Sequence, residues 1–379
     1  MKALSKGFAV VLAAASLLTL GGCAKSTPDN RVATTANWNA RTSTIVEKNY
    51  LGYWQTHKEV AEYSISFNDT GSTNYSVSYD TEGAVYANEF YMEKSYDWTN
   101  AAIPEEYRLQ EAKSEPLYVY TTSLSISGAY KLKSTNEEKK FDDVLQSVCK
   151  FRLAGDNLQP VYSKQVIKNT APNSLGTQVI EASYVQTDSV YETFYNHDCT
   201  EAYVKQTDNL AEVKEKEPKK ISVKDKNGLS IFDNSQLRAA LRAFTMTGGA
   251  TRRFNVLAPQ NAAMQTCTAT ITAPVELNVN DEEQKAIITA LDECKPDDYI
   301  FFDGTPSSGD ETARTYRYNA LSLAVEADLK GSSPTCWFST VENPDVNGTR
   351  SILLRMTTPV SFGLGTLTYS LKSLNVKEI

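Results

Sequence analysis

The chain has 379 residues, of which 41% are hydrophobic and 22% are charged, and its formal net charge at pH 7 is −8. An acidic chain is a poor partner for nucleic acid and is not attracted electrostatically to anionic lipid. We therefore expect neither kind of binding. The length is enough for one large hydrophobic core or for two cores of ordinary domain size.

The first 22 residues have the features of an export signal. Two lysines supply a positive n-region, and an apolar stretch follows at residues 8–20. This stretch is shorter than the ~20 residues that are needed to span a bilayer. The residues Leu-Gly-Gly-Cys at 20–23 resemble the lipobox of bacterial lipoproteins, and the resemblance implies cleavage before Cys23 and acylation of its thiol. The alternative is an ordinary secretory signal that happens to contain a cysteine.

Acylation of Cys23 predicts a protein that is held by lipid on a bacterial cell membrane or outer membrane and faces away from the cytoplasm. Attached acyl chains contribute ~0.8 kcal/mol per buried CH₂ group, and two or more chains hold a protein stably on a membrane. Loss of the leader with its two lysines takes the net charge to −10. Residues 23–37 then form the acylated cysteine and a small, polar, flexible tether, followed by a mainly β domain at 38–379.

Five cysteines remain beyond Cys23, and this odd number leaves at least one thiol unpaired or joined to a partner. Outside the cytoplasm we expect disulfides within each half of the chain, Cys149 with Cys199 and Cys294 with Cys336. Buried free thiols are the alternative. The sequence contains no CxxC motif or Cys/His cluster, so we expect no metal site and no cofactor.

Alternation of apolar and polar residues with period two predicts strands over much of the chain. Near the start of the domain, EYSISF and NYSVSY, at residues 62–67 and 74–79, predict a hairpin around the turn residues NDTGS. Near the end, YRYNALSLAV, TCWFST, RSILLRM and GLGTLTYSLKSLNV predict four more strands. In the last of these, Leu367, Tyr369 and Leu371 alternate with polar residues, which is typical of a strand buried on one side.

Few helices are predicted. In FDNSQLRAALRAFTM, residues 233–235 are candidate N-caps, and Leu237, Leu241 and Phe244 fall on one face. Residues 280–294 predict a second helix with acidic residues in its first turn, which suits the helix dipole. Residues 39–54 predict a third.

The segment at residues 210–230 is charged and contains the turn pair Asn227-Gly228. It is either a linker between two halves of the chain or a hairpin inside one continuous sheet. Because alternation resumes in the same style on both sides, we favour the hairpin.

The order of elements is strands, NLQPVYSKQVI, further strands, the helix IFDNSQLRAALRAF with Gly248-Gly249, and closing strands. This order resembles uncharacterised bacterial lipoproteins whose long antiparallel sheet curls round a short helix, and it is distantly similar to the LolA/LolB type of lipid carrier. The resemblance covers roughly residues 58–374. It implies a mainly β fold, with a long antiparallel curved sheet or half-open barrel and a few short helices, one of which packs against the sheet. The sheet would cradle an apolar or lipid-like ligand. It implies no catalytic residues.

Motifs for catalysis are incomplete in the sequence. Ser147 and Lys150 match the S-x-x-K of serine acyl-enzymes, but the S-D-N and K-T-G motifs that accompany it are missing. Neither His57 nor His197 has a second metal ligand at helical or strand spacing. Paired carboxylates would suit a glycoside hydrolase, but the sequence does not give their separation. An enzyme is therefore unsupported, and a hydrolase with unidentified carboxylates stays a third interpretation.

Two non-enzymatic interpretations remain. In the first, a membrane-tethered carrier holds an apolar ligand, Leu237, Leu241 and Phe244 line or plug the cradle, and Arg238 and Arg242 hold an anionic head group. The alternative for the arginines is a solvated stripe. In the second, a surface module binds a glycan or an envelope protein through outward-facing tyrosines, which crowd the first half of the chain. Tyrosine also favours strands for packing alone. We favour the carrier because the resemblance implies it.

Overall fold

A computed structural model gives the structure of the protein. It describes residues 55–71, 74–111, 113–154, 157–173, 180–209, 212–223, 229–243, 248–293, 305–306, 314–325, 334–340, 352–360 and 364–379. The predicted leader, Cys23, the tether and the helix predicted at 39–54 lie outside these residues.

The described residues form nineteen strands and two α-helices. The strands of the first half are β1 (His57–Asp69), β2 (Tyr75–Asp97), β3 (Ser114–Leu132), β4 (Glu138–Ala154), β5 (Asn157–Pro172), β6 (Tyr184–Tyr195), β7 (Glu201–Asp208), β8 (Lys214–Glu215) and β9 (Lys219–Ser222). The elements of the second half are β10 (Ile231–Asp233), α1 (Leu237–Leu241), β11 (Thr251–Ala258), β12 (Ala263–Ile271), β13 (Val275–Glu276), α2 (Glu282–Asp292), β14 (Thr305–Pro306), β15 (Arg314–Thr315), β16 (Arg317–Val325), β17 (Thr335–Thr340), β18 (Leu353–Val360) and β19 (Gly365–Glu378). Short 3₁₀ turns lie at Glu105–Tyr107 and Pro259–Asn261.

Seventeen of these strands form one curved sheet, and β14 pairs only with β15. From one end to the other the order is β9, β7, β6, β5, β4, β3, β2, β1, β19, β18, β17, β16, β12, β11, β10. The short strands β8 and β13 add to β7 and β16. The pairings of the described strands are antiparallel except for β10 with β11. The sheet curves but does not close, which confirms the predicted fold class.

The first and last strands are neighbours in the middle of the sheet. β1 pairs with β19 along its whole length, from His57 opposite Glu378 to Asp69 opposite Gly365. On its other side, β1 pairs with β2 over Glu59–Tyr63 only. The predicted first hairpin is therefore wrong in its pairing: the two strands are antiparallel, but β1 pairs with Tyr86–Phe90 and not with residues 74–79, and it makes its longer ladder with the C-terminal strand.

The predicted alternation matches the burial of the side chains. In β1, Tyr63 and Ile65 are buried and their neighbours Glu62 and Ser64 are exposed. In β19, the predicted residues Leu367, Tyr369 and Leu371 are all buried. One face of these strands packs in the core, as expected from period two.

A glycine marks a close approach of three strands. Gly128 of β3 lies opposite both Tyr79 of β2 and Phe141 of β4. The rings of Tyr79 and Phe141 meet edge to face with centroids 5.5 Å apart. A Cβ atom at position 128 would lie 2.2 Å from the carbonyl oxygen of Ser78 and 2.5 Å from Phe141 Cζ. The absence of a side chain therefore permits this contact between aromatic residues on strands that are not neighbours.

The two helices differ in how well the sequence predicts them. α2 begins as expected, with Asp281 as N-cap accepting from the backbone N–H of Gln284 at 3.0 Å. α1 is shorter than predicted, and the N-cap prediction at 233–235 is wrong because the N-cap residue is Gln236, preceded by the end of β10 and a turn. In that turn the backbone N–H of Ser235 donates to Asp233 Oδ1 at 2.8 Å. In the described part of the chain, no helix combines the length and hydropathy needed to cross a membrane.

Candidate functional site

One face of the curved sheet, which we call the inner face, carries the main hydrophobic core. Aromatic side chains from both halves of the chain contribute to it, including Tyr63 of β1, Phe90 of β2, Tyr120 of β3 and Tyr369 of β19. The rings of Tyr63 and Tyr369 both lie about 5 Å from that of Tyr86, with centroid distances of 5.0 and 4.9 Å. Tyrosine thus serves mainly as core packing on this face.

Residues 229–243, which we call the inserted segment, lie against the inner face. The segment contains β10 and α1, and every residue from Phe232 to Ala243 is buried. Leu237 and Leu241, two of the predicted ligand-lining residues, are fully buried in the same core as the tyrosines of the sheet. The third, Phe244, lies outside the described residues. In the described structure α1 therefore occupies the inner face.

A row of buried polar side chains crosses the inner face beneath this segment. Asn88, Thr122, Ser147 and Gln165 lie directly opposite one another on β2, β3, β4 and β5, and we call them the polar row. All four are at most 5% exposed. Buried polar groups need hydrogen-bond partners, so a polar row inside an aromatic core requires matching groups in whatever covers it.

The inserted segment supplies those groups at helical spacing. Asn234, Arg238 and Arg242 are four residues apart and lie on one side of α1 and its flanking turns. Asn234 Oδ1 accepts from Gln165 of the polar row, and Arg238 Nη2 donates to Thr122 Oγ1 at 3.3 Å. The segment therefore crosses the strands, with Asn234 at β5, Arg238 at β3 and Arg242 at β1.

The distances along the segment and across the strands explain why long side chains such as arginine are needed here. Eight helical residues rise ~12 Å, whereas the four strand spacings from β5 to β1 cover ~19 Å. Long side chains bridge the difference. The two predicted arginines thus face the sheet, and the expectation of a solvated stripe is wrong because Arg238 and Arg242 are 4% and 5% exposed.

Arg242 forms a buried ion pair with Glu59 of β1. Its Nη1 and Nη2 donate to Glu59 Oε1 and Oε2 at 2.6 and 3.0 Å, and both side chains are 5% exposed. This two-pronged geometry is the strongest form of the guanidinium–carboxylate contact. An anionic head group at Arg242 would have to displace this carboxylate, so the anion-binding role predicted for this residue conflicts with its present partner.

Arg238 lies further along the same side. Its guanidinium carbon is 5.6 Å from the centre of the Tyr86 ring, an arrangement that favours a cation–π contact. The side-chain amide of Asn88 bonds two neighbours, since Thr122 Oγ1 donates to its oxygen at 3.0 Å and its nitrogen donates to Tyr86 Oη at 3.3 Å. The polar row and Arg238 therefore form one connected network.

The turn before α1 carries a second polar contact with the sheet. Asp233 is fully buried, and its Oδ2 accepts from the hydroxyls of Ser163 on β5 and Tyr195 on β6, each at 2.7 Å. Burial raises the pKa of Asp233, against the opposing effect of these hydrogen bonds. The same turn contacts Gln165, whose Nε2 donates to Ser235 Oγ at 2.6 Å.

Side chains, in place of a backbone ladder, join the two ends of the sheet. Leu257 of β11 packs with Tyr195, Cys199, Ala202 and Val223, which belong to β6, β7 and the residues next to them. β10 itself makes ladder pairs with β11 through three residues. The inserted segment is therefore attached to most of the inner face through side-chain contacts alone.

Two buried hydroxyls near the segment are unpaired among the described residues. Ser147 Oγ lies in the polar row between Thr122 and Gln165. Thr193 Oγ1 lies opposite Ser163, the donor to Asp233. A buried hydroxyl without a partner costs ~1–3 kcal/mol, so these atoms mark places that an additional hydrogen-bonding group would satisfy.

The partial S-x-x-K motif has no catalytic geometry. Ser147 faces inward from β4, whereas Lys150 faces outward and forms an ion pair with Glu93 at 2.5 Å. His197 lies on the outer face, where Arg152 Nη1 approaches its Nε2 at 2.9 Å and its ring meets Trp98 edge to face at 5.0 Å. Among the residues that the structure describes, no three His, Cys, Asp or Glu side chains form a metal-binding group.

The predicted disulfide between Cys149 and Cys199 is corrected by the structure, because both thiols are buried and free. Cys149 packs in the main core, whereas Cys199 belongs to the cluster at the ends of the sheet. Cys336 is also a buried free thiol, and Cys294, its predicted partner, lies outside the described residues. Burial raises the pKa of Cys199 and of Cys336 to about 12.

The tyrosines do not form the exposed rows that a surface-binding module predicts. None of those in the described residues is exposed. Those of the first half that are buried are Tyr63, Tyr75, Tyr86, Tyr107, Tyr118, Tyr120, Tyr130, Tyr191 and Tyr195. Packing therefore accounts for their abundance better than recognition does.

Comparisons with known proteins give a distant likeness of fold. No family model matches the chain, and no curated protein sequence matches it. Among solved structures, the chain is similar to the crystal structure of a beta-barrel-like protein of a domain of unknown function, DUF1849, from Brucella abortus. The two are 9% identical, the alignment covers 85% of this chain and 98% of that one, and the TM-score is 0.41. We take no functional residue from so distant a likeness.

Proposed function

We propose that the chain is a non-enzymatic binding or carrier protein that takes an apolar or lipid-like ligand on its inner face. In this proposal it is anchored outside the cytoplasm through acylated Cys23, and residues 23–37 connect it to the membrane. A tether of this length reaches at most ~50 Å when fully extended, at ~3.3–3.6 Å per residue. That reach lets the inner face turn toward the membrane or away from it.

The observation that carries the proposal is the way the inserted segment is attached. The backbone of the segment bonds β11, through the three-residue pairing of β10 and through Ser230 and Asn234 on either side of it, whereas its contacts with β1, β3 and β5 are made by its side chains. Side-chain contacts can be exchanged for contacts with a ligand without breaking the sheet. The segment is therefore a part of the core that a ligand can replace while the ladders from β1 to β7 stay intact.

The face under the segment suits an apolar ligand. Tyr63, Tyr86, Phe90, Tyr120 and Tyr369 surround the polar row and are buried against α1. A ligand that replaced Leu237 and Leu241 would regain ~25 cal/mol for each Å² of apolar area that it covered. Most binding sites combine such an apolar wall with a few polar groups, as this face does.

Native mass spectrometry tests the proposal. The Cys23→Ser variant, exported by its own host but not acylated, is purified without detergent and sprayed under native and denaturing conditions. We expect an extra mass in the lipid range that is present natively and is released on denaturation. A bare polypeptide mass under both conditions would contradict the proposal.

Hydrogen exchange of the same protein supplies a second test. We expect the amides of residues 237–243 to exchange faster than those of β4 and β5, because the segment opens without unfolding of the sheet. Equal protection of the segment and these strands would show that the inner face opens only on global unfolding.

A further inference from the structure

The inserted segment occupies the inner face as a ligand would, and its contacts therefore indicate what a replacement must provide. Arg242 places a guanidinium on the carboxylate of Glu59 at 2.6 and 3.0 Å. Both groups come from distant parts of the chain, and both are 5% exposed. The carboxylate belongs to the sheet and the cation belongs to the segment.

Departure of the segment separates this pair. Glu59 would stay on β1, in the middle of the sheet, while Arg242 moved with α1. Removing one partner of a buried ion pair typically costs ~3–5 kcal/mol, because the other charge loses its compensation. A purely apolar ligand does not supply that compensation, whereas a ligand with a cationic group does.

The neighbouring groups extend the same site with neutral hydrogen-bonding atoms. Thr122 and Gln165, which now bond Arg238 and Asn234, lie further along the polar row. Between them Ser147 Oγ has no hydrogen-bond partner among the described residues and is at a position that faces the segment. Because Ser147 on β4 lies three strand spacings, ~14 Å, from Glu59 on β1, a ligand with a donor or acceptor group at about that distance from its cation would satisfy both parts.

We propose that the inner face recognises an amphiphile with a cationic head group, such as an ammonium or guanidinium, which replaces Arg242 on Glu59 while its apolar part replaces Leu237 and Leu241. This inference rests on the proposed function and specifies its ligand class. The inserted segment is then an intramolecular competitor, and it lowers the apparent affinity of the ligand by the fraction of molecules in which the face is covered.

The experiment compares three probes with the same tail: dodecylguanidinium, dodecyl maltoside and laurate, each below its critical micelle concentration. Binding to the full-length Cys23→Ser protein is measured by calorimetry. We expect dodecylguanidinium to bind at least tenfold more tightly than laurate, with the maltoside between them.

Two double variants that leave the net charge unchanged test whether the preference for the cationic probe comes from the site or from the overall acidity of the protein. Glu59→Gln with Arg242→Leu removes one charge of each sign at the site, and we expect it to abolish the preference for the cationic probe. The matched control is Lys58→Met with Glu89→Gln, which removes a partly exposed pair between β1 and β2, 2.9 Å apart, and is expected to keep the preference.

A measurement on the Cys23→Ser protein without further substitutions covers the case in which the double variant fails to fold. Dodecylguanidinium, but not laurate, is expected to speed hydrogen exchange at residues 237–243. Equal affinities for the three probes, a preference for laurate, or a preference that survives in the Glu59/Arg242 variant would each overturn the inference.

The outcomes also distinguish this inference from the proposed function. Equal binding of all three probes, together with a lipid mass in the native spectrum, would support the carrier function and contradict the inference that its ligand has a cationic head group. Binding of no probe, together with a bare polypeptide mass in the native spectrum, would contradict both the carrier function and the inferred ligand class.

Discussion

Arg242 and Glu59 are 183 residues apart in the chain and form a two-pronged ion pair inside the curved sheet, with N–O distances of 2.6 and 3.0 Å. Arg242→Met is expected to lower the free energy of unfolding by ~3–5 kcal/mol, because it leaves the Glu59 carboxylate buried without its cation. Urea unfolding followed by circular dichroism measures the change. The double variant Glu59→Leu/Arg242→Met should recover most of the loss, since apolar replacement of both partners is often neutral.

An exposed pair on the same strand provides the control for this prediction. Lys58 and Glu89 are 2.9 Å apart, with side chains 28% and 33% exposed. Lys58→Met should change stability by less than ~1 kcal/mol. A loss at Arg242 no larger than the loss at Lys58 would contradict the buried-pair assignment.

Asp143 makes stability depend on pH. It is 3% exposed, and burial raises its pKa to about 8, against the backbone N–H of Thr170 that donates to it at 2.9 Å. Between about pH 4 and pH 8 the folded protein keeps a proton that the unfolded chain releases, so this residue lowers stability as pH rises through that window. Asp143→Asn keeps the acceptor for Thr170 and should raise stability at pH 7 by ~2–4 kcal/mol.

The comparison for Asp143 is its exposed neighbour. Asp142→Asn, on the opposite face of β4, should keep most of the slope of stability against pH between pH 4 and 8, because the charge of Asp142 contributes less than burial to the raised pKa of Asp143. Unfolding midpoints in urea at several pH values measure both variants. If Asp143→Asn showed the same slope as the unsubstituted protein, the buried acid would not be the cause.

The thiols of Cys149, Cys199 and Cys336 should resist alkylation in the folded protein. Burial raises the pKa of all three, so the reactive thiolate is scarce at pH 8. Iodoacetamide labelling followed by peptide mass spectrometry is expected to modify them only in denaturant, without prior reduction. A linked Cys149–Cys199 peptide in the non-reduced digest would contradict the free thiols.

Gly128 should not tolerate a side chain. Gly128→Ala places a methyl group 2.2 Å from the Ser78 carbonyl oxygen and against the Phe141 ring, and overpacking of this kind costs ~1–3 kcal/mol. Gly83→Ala is the control, because its Cβ meets only the flexible carboxylate of Asp80. Thermal unfolding of both variants measures the difference, and similar midpoints would argue against the close approach at Gly128.

Acylation is tested at Cys23. The Cys23→Ser variant is expected in the soluble fraction after cell breakage and without label after growth in radioactive palmitate, because the proposed lipid anchor is lost. Ser26→Ala in the tether should stay membrane-bound and labelled. Retention of the Cys23→Ser variant on membranes would contradict the lipobox interpretation.

Period two predicted strands such as β1 and β19, since one-sided burial imposes alternation on them, but it did not indicate β4, β7, β11 or β12. The sequence predicted only part of the candidate site. The helical spacing of Arg238 and Arg242 indicated a stripe, but the sequence does not reveal that its partners are Thr122 and Glu59.

Those partners are invisible in the sequence because register is a property of strand pairing. The polar row becomes a row only when β2, β3, β4 and β5 align, and each of its members alone is typical of the solvent side of a strand. The disulfide prediction was wrong for a related reason, since separation along the chain does not indicate which thiols approach each other.

The ladder between β1 and β19 has a consequence for biogenesis. Because β1 is synthesised before the other described strands and β19 after them, the ladder between these two strands can form only once β19 has been made. Until then, β2 to β7 can pair as a series of local hairpins, and β11 to β18 can pair among themselves. Each of these two groups of strands then has an edge strand with unpaired backbone groups. The yield of folded protein is therefore expected to depend on protection of these edges until β19 is available, more than for a sheet built from consecutive strands.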